Sequence, residues 1–191
     1  ALTGTARTYA ADLSDPKIAD GVLTRAIQEN GPVDILINNA GVQHIDHFTK
    51  ITNETAQQLL NLNYSTPAQL MRQVLPSMVE RDTGIVINTA SLGAITPTPY
   101  MAEYCASKAA LAALATALSG EYKDSKIHFI TVYPGRLKRP WRIMPMSVMK
   151  KARWITSPLA QRKGWLKKFA MRLKKRNTKL CIQHFTKAQN L

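Results

Sequence analysis

Residues 84–108 read GIVINTASLGAITPTPYMAEYCASK: a buried strand, a loop and the first turns of a helix. Ile85, Val86 and Ile87 form the short apolar run that a strand covered on both faces requires. Asn88, Thr89, Ala90 and Ser91 follow where that strand ends. In an open parallel sheet, ligands bind at the carboxyl ends of the strands. Pro97 and Pro99 break regular structure before the next element. Tyr104 and Lys108 then stand four apart in a run of helix formers, residues 102–118, which places both side chains on one helical face. A tyrosine keeps its proton up to a pH of about 10. An ammonium beside it favours the phenolate and lowers that pKa. The pair would then exchange a proton near neutral pH, with Ser91 offering a second hydroxyl to the same oxygen. Spacing alone also fits a half-buried ring beside a solvated charge; the strand and the serine before the loop favour the chemical reading.

Outward from this stretch, strand and helix signals alternate. Residues 9–13 read as a strand and its end. Ser14 or Asp15 can cap a helix with Pro16 at its first position, and Ile18, Val22, Leu23, Ala26 and Ile27 give it an apolar stripe. Gly31-Pro32 closes that helix. Residues 33–37, VDILI, form the next strand and run into Asn38. Thr52 caps a helix carrying Ala56, Leu59, Leu60 and Asn63; Pro67 predicts a bend, beyond which Leu70, Met71, Val74 and Met78 continue the stripe. Residues 82–84 turn into the strand at residues 85–87, and residues 127–132 form a further strand entering Tyr133-Pro134-Gly135. The alternation predicts an α/β fold, a Rossmann-like doubly wound parallel sheet with helices on both faces.

These landmarks resemble the short-chain dehydrogenase/reductase family. Ser91, Tyr104, Ala106, Ser107 and Lys108 are similar to its Ser…Tyr-x-x-x-Lys signature, with the same thirteen-residue step from Ser91 to Tyr104. Asn38-Asn39-Ala40-Gly41 is similar to its Asn-Asn-Ala-Gly motif, Pro134-Gly135 to its Pro-Gly, and Asn63 stands where the family keeps a helix asparagine. The resemblance runs from Asp12 to Gly135. It implies hydride transfer between NAD or NADP and an alcohol or carbonyl substrate. It implies Tyr104 as proton donor and acceptor, Lys108 as the group that lowers the tyrosine pKa and holds the nicotinamide ribose, and Ser91 as the group that positions the substrate oxygen. Asn63 would complete a proton relay through a water held by its backbone. Asp12 and Leu13 would face the adenine, Asn39, Ala40 and Gly41 the cofactor ribose, and Pro134 and Gly135 would lie beside the cofactor. Asn38 would tie neighbouring strands through its amide. The family opens with a strand and a glycine-rich turn, TGxxxGxG, that meets the pyrophosphate. Thr3-Gly4-Thr5-Ala6-Arg7 begins like that turn, but the later glycines are absent. Residues 1–7 read better as the second strand of an N-terminally incomplete domain, since a strand, helix and strand take roughly 30 residues. Arg139 stands where many members carry a threonine facing the nicotinamide amide, so the substrate loop is not transferred.

Charge divides the chain at that same Pro-Gly. Residues 1–135, the expected Rossmann-like core, carry 9 Lys and Arg against 12 Asp and Glu; residues 136–191 carry 17 and no acid, so the net +14 resides in the last segment. Within it, Leu166, Phe169, Ala170 and Leu173 fall at helical spacing among lysines and arginines, which predicts a basic amphipathic helix over 158–176. Such a helix suits an anionic membrane surface; packing on its own domain with a solvated basic face is the competing expectation. Nucleic-acid binding is the weakest, because charge comes without a recognisable motif. Residues 179–185, KLCIQHF, are the strand-like candidate of this segment.

No metal site is expected: Cys105 and Cys181 lack ligand spacing, and His44, His47, His128 and His184 share none. Cys105 reads as a small helix residue rather than a nucleophile. No apolar run approaches the ~20 residues of a membrane span, so a cytoplasmic, possible peripheral-membrane setting is expected. The expected partners are a small alcohol or carbonyl and a second copy of the chain, as homodimer or homotetramer. Ala109, Ala110, Ala112, Ala113, Ala115 and Ala117 give the helix after Tyr104 a smooth face for that pairing. The alternative to an oxidoreductase is a non-catalytic binding or membrane-surface module that retains the core but lacks the phosphate turn.

Overall fold

The computed structural model describes residues 7–135 and a short strand at residues 180–182. The predicted helix 158–176 lies outside them. Helix α1, Pro16–Asn30, starts as its sequence dictates: the Asp15 carboxylate accepts from the Lys17 N–H at 2.9 Å and proline takes a position that owes no hydrogen bond. It ends where Gly31, at φ 79°, returns its N–H to the Ile27 carbonyl. Strand β1 is Ile35–Asn38, β2 Gly84–Thr89 and β3 Ile127–Val132. Between them lie α2, Asn53–Leu60, then α3, Thr66–Glu80, and α4, Ala102–Glu121.

The strands pair in parallel, Asn38 opposite Asn88 and Thr89 opposite Val132, so β2 and β3 end level and β1 ends one residue earlier. The crossovers from β1 to β2 to β3 step in one direction, and right-handed connections then lay their helices on one face. There Leu36 and Val86 are fully buried beneath Met71, Val74, Met78 and Leu111, and α1 closes the layer through Ala19 and Leu23. Gln73 on α3 donates to Thr24 on α1 at 2.6 Å. The second helical layer expected for a doubly wound sheet is not seen among the described residues. Arg81 links the end of α3 to the entrance of β1, donating to the Asp34 carboxylate at 2.8 Å and to the Val33 carbonyl at 2.9 Å.

Two local expectations are corrected. Residues 9–13 form no strand. None of the described strands runs beside them, and they are fixed instead by side chains on α1: Tyr9 donates to Glu29 at 2.7 Å, and Arg7 pairs with the same carboxylate at 3.1 Å. The predicted bend at Pro67 is instead a π-helical turn, Asn61–Ser65, joining α2 to α3. Proline has no N–H to return to the carbonyl four residues back, which is that of Asn63, and the widened turn just before it accommodates the loss.

The strand-like KLCIQHF forms a strand over its centre, β4, Leu180–Ile182, parallel to β1 with Ile35 opposite Leu180. The sheet order is therefore β3-β2-β1-β4. In the doubly wound order 3-2-1-4-5-6, with β1 read as the fourth strand, β4 takes the seat of the first.

Gly84 opens β2 against Met78, fully buried on α3; a Cβ there would lie 2.6 Å from Met78 Cγ and 3.0 Å from Met78 Cβ. Gly84→Ala should lower unfolding stability by about 1–3 kcal/mol, since it overpacks a closed core; urea denaturation measures it, and an unchanged midpoint would contradict this packing.

Candidate active site

The site forms where β1 and β2 end. The Asn38 amide donates to Asn88 Oδ1 at 2.7 Å across the paired strand ends, both side chains buried. One residue on, Thr89 donates to Asn39 Oδ1 at 3.2 Å. These bonds align the Asn39-Ala40-Gly41 loop with the loop that leaves β2.

That second loop holds Ser91, which caps a 3₁₀ turn, Leu92–Ala94, by accepting from the Gly93 N–H at 3.1 Å. The Leu92 N–H reaches the Pro134 carbonyl at 3.1 Å, and a Cβ on Gly135 would lie 3.0 Å from Leu92 Cδ1. Pro134 and Gly135 are thus joined to the Ser91 loop through Leu92. A Cβ on Gly93 would meet Cys105 Sγ at 3.1 Å, Ser91 Oγ at 3.5 Å and Tyr104 Cε1 at 3.7 Å. Glycine therefore brings the loop onto the first turn of α4, with Ser91 beside the Tyr104 ring.

Lys108, one turn along α4, is 4% exposed. Its ammonium donates to the Thr89 carbonyl at 2.9 Å, at the end of β2. On the other side is Gly41, where a Cβ would lie 2.9 Å from Lys108 Nζ and 3.0 Å from Asn63 Oδ1. A side chain at position 41 would have to displace the lysine tip or the Asn63 amide. Asn63 is fully buried in the π turn. Its Oδ1 accepts from the Val42 N–H at 3.0 Å, and its Nδ2 donates to the Val42 carbonyl at 2.9 Å and to Ser107 Oγ at 3.0 Å.

The electrostatics differ from the spacing argument. Burial pushes the Tyr104 phenol above its ordinary 10.0; a hydrogen bond with Ser91 works against the rise and Cys105 adds to it. No lowering by Lys108 is seen; its own ammonium donates to the Thr89 carbonyl, and burial lowers it from 10.5 to about 8. The expected lowering of Tyr104 by Lys108 is therefore not a property of this state of the chain.

Asn39, Ala40, Gly41, Asn63, Ser91, Tyr104, Lys108, Pro134 and Gly135 thus belong to one connected region. Asp12 and Leu13 are held elsewhere: Asp12 accepts from the Ser14 N–H and hydroxyl at 2.9 and 2.7 Å, and the Leu13 carbonyl from Thr66 on α3 at 2.8 Å. Sequence reasoning missed Val42 and Thr89, whose backbone groups fix Asn63 and Lys108, and gave Gly93 and Ser107 no part. A backbone carbonyl carries no sequence signal; glycine two residues after the serine was the available hint. Among the described residues no group of His, Cys, Asp or Glu could hold a metal, and no helix is long and apolar enough to cross a membrane.

Residues 1–143 match the short chain dehydrogenase family model. An uncharacterized oxidoreductase of Mycobacterium bovis is 35% identical over 151 residues, 78% of this chain and 44% of the relative. The chain thus spans less than half the length of that relative. A metagenomic short-chain oxidoreductase solved with NADP superposes at TM-score 0.65 and 29% identity, covering 71% of this chain and 62% of that one. A 4-hydroxyisoleucine dehydrogenase solved with NADH gives TM-score 0.62 and 28% identity, covering 65% of this chain and 56% of that one.

The buried ammonium has a pH signature. Its pKa is lower in the fold than the ordinary 10.5, so between pH 8 and 10.5 the unfolded chain binds the proton that the fold has released. Stability then rises with pH. Tyr104 works oppositely: its raised pKa stabilises below 10 and loses that contribution above. Between pH 8 and 10 stability should rise by roughly 2 kcal/mol, and Lys108→Met should abolish the rise; urea unfolding at the two pH values measures both.

Proposed function

The chain belongs to the short-chain dehydrogenase/reductase family, and we propose that it is an NAD- or NADP-dependent oxidoreductase acting on an alcohol or carbonyl carbon through Tyr104, Lys108 and Ser91. The observation that carries this reading is the convergence of Ser91 and Tyr104 on Gly93, with Lys108 held between the end of β2 and Gly41. Ser91 and Tyr104 present two hydroxyls to one substrate oxygen. In the reductive direction Tyr104 gives that oxygen its proton while Ser91 steadies the charge; in the oxidative direction Tyr104 removes the proton. A phenol raised by burial is a reluctant base, which favours the direction in which Tyr104 gives its proton away.

The residues present fit the nicotinamide end of a dinucleotide. A ribose bound at the loop after β1 would lie near Lys108, whose Nζ closely approaches Gly41. Lys108 would hydrogen-bond that ribose. Asn39 would orient the loop, Pro134 and Gly135 would border the nicotinamide, and Asp12 and Leu13 the adenine. The cofactor supplies hydride chemistry when bound. Asn63 spends its side chain on Val42 and Ser107, which leaves its backbone carbonyl, denied a helical partner by Pro67, for the relay water. Exposed Ile45, Phe48, Ile95 and Tyr100 lie on the two loops beside the site and suit an apolar substrate portion.

The test has two parts. NADH and NADPH titrated against the chain should give saturable binding of one or both, and no binding of either would favour a non-catalytic module. In a binding-competent chain Tyr104→Phe should lower turnover by at least ~10²-fold with cofactor affinity little changed. Lys108→Met should lower both; near-normal turnover in Tyr104→Phe would remove that residue from the chemistry.

We further propose that α4 pairs with its copy about a two-fold axis in a homodimer or homotetramer. Ala112 and Ala115 are consumed by the chain's own core, while Ala106, Ala113 and Ala117 remain exposed for close packing. Light scattering at micromolar concentration should show at least a dimer, and a strict monomer would refute the pairing. Association of the basic segment with anionic lipid is also kept as a proposal, supported by its charge.

A further inference from the structure

Ser107 is the residue of the Tyr104–Lys108 turn to which the proposed chemistry gives no part. It is 1% exposed, and both capacities of its hydroxyl are in use. The oxygen accepts from Asn63 Nδ2 at 3.0 Å, and the hydroxyl donates to the Tyr104 carbonyl at 2.8 Å. Asn63 in turn exchanges two bonds with the Val42 backbone, at 3.0 and 2.9 Å. A continuous chain of hydrogen bonds therefore runs from Val42 through Asn63 and Ser107 to Tyr104. It joins the loop after β1 to the helical turn carrying Tyr104 and Lys108. The same loop lies directly over the ammonium, since a Cβ on Gly41 would be 2.9 Å from Lys108 Nζ.

We propose that Ser107 is a positioning residue that acts with Asn63 to clamp the Gly41-Val42 loop over Lys108 and so keep that ammonium out of water. The importance of the clamp for turnover rests on the reading of Tyr104 and Lys108 given above; the clamp itself does not. Two N–H groups of the Asn63 amide need acceptors, and the structure provides one each from Val42 and Ser107. Without the serine oxygen one of them is left in a dry interior, which is costly enough to draw in water or swing the amide. Either change loosens the Val42 bonds and lifts Gly41. The Thr89 carbonyl and the Gly41 backbone at Lys108 Nζ are uncharged, Tyr104 one turn before it on α4 keeps its proton below 10, and burial alone depresses the ammonium. Its titration therefore reads hydration of the loop seat. A serine that merely supported the fold would change unfolding stability without moving that titration.

The experiment follows the Lys108 midpoint by NMR in the full chain carrying ¹³Cε-lysine, with the signal assigned by its loss in Lys108→Met. Ser107→Ala should raise the midpoint from about 8 by at least about one pH unit, a tenfold gain in proton affinity. Ser107→Thr, which keeps the hydroxyl, should stay near the parent value. In an Asn63→Ala background Ser107→Ala should add no further shift, because the route runs through that amide. A folded Ser107→Ala chain with an unmoved midpoint overturns the proposal. Equal shifts in both backgrounds also overturn it. If Ser107→Ala does not fold, Ser107→Cys retains the volume while weakening the bond, and its midpoint is read by the same criterion. Loss of Tyr104 from the chemistry, revealed by Tyr104→Phe turnover, would leave these titrations unaffected, so the two readings fail separately.

Discussion

A lysine ammonium taken out of water at the end of a strand is the constraint around which this molecule is arranged. Burying a lone charge costs several kcal/mol even after relaxation, and that cost appears here as a pKa near 8 rather than 10.5. It is tolerable because the Thr89 carbonyl stands 2.9 Å away. That acceptor exists only because β2 stops at Thr89, where the carbonyl leaves the ladder toward α4. The Gly41 loop closes over the ammonium with no side chain at position 41 to displace the lysine tip. One strand end, one glycine and one helical turn are thus fixed together by a single desolvated group.

Alignment of the two strand ends comes from a second buried set. Asn38 and Asn88 sit opposite one another in the ladder and join their amides at 2.7 Å. A slip of either strand by one residue would turn its amide to the opposite face and its apolar residues with it. The polar pair, costly to leave unsatisfied, specifies register where apolar β-strands would otherwise be interchangeable. Thr89 and Asn39 then carry the alignment one residue beyond the sheet, so the cofactor-side loop and the serine-side loop start from fixed positions.

What was legible in the sequence was local or periodic. The Ile85-Val86-Ile87 run, the Asp15-Pro16 start and the four-residue step from Tyr104 to Lys108 each encode their element within a few residues, and each is realised. The Asn63–Val42–Ser107 network was not legible, because it joins positions 21 and 44 apart in the chain, two of its bonds going to the Val42 backbone. Residues 9–13 show the limit of pattern reading from the other side. Alternation marks a segment able to form a strand, but a strand needs a ladder, and here the side chains of Arg7 and Tyr9 engage α1 instead. The Tyr104 ionisation failed for a related reason: helical spacing gives adjacency, whereas the direction of the pKa depends on burial and on which acceptor the lysine selects.

The pairing of β4 with β1 changes how the basic segment should be understood. Without it, β1 would present an unpaired edge of Ile35, Leu36 and Ile37, a template for association with other chains. β4 is three residues long and has Lys179 at its entrance, and a short strand flanked by lysine is a common way for natural sheets to end. Whatever path residues 136–179 follow, joining their ends to the sheet costs about 3 kcal/mol in loop-closure entropy. A three-residue ladder of hydrogen bonds, each contributing ~0.5–1.5 kcal/mol net, offsets that cost with little to spare. The strand is therefore held by a narrow margin, and it sits in the seat that the doubly wound order gives to the strand bearing the phosphate turn.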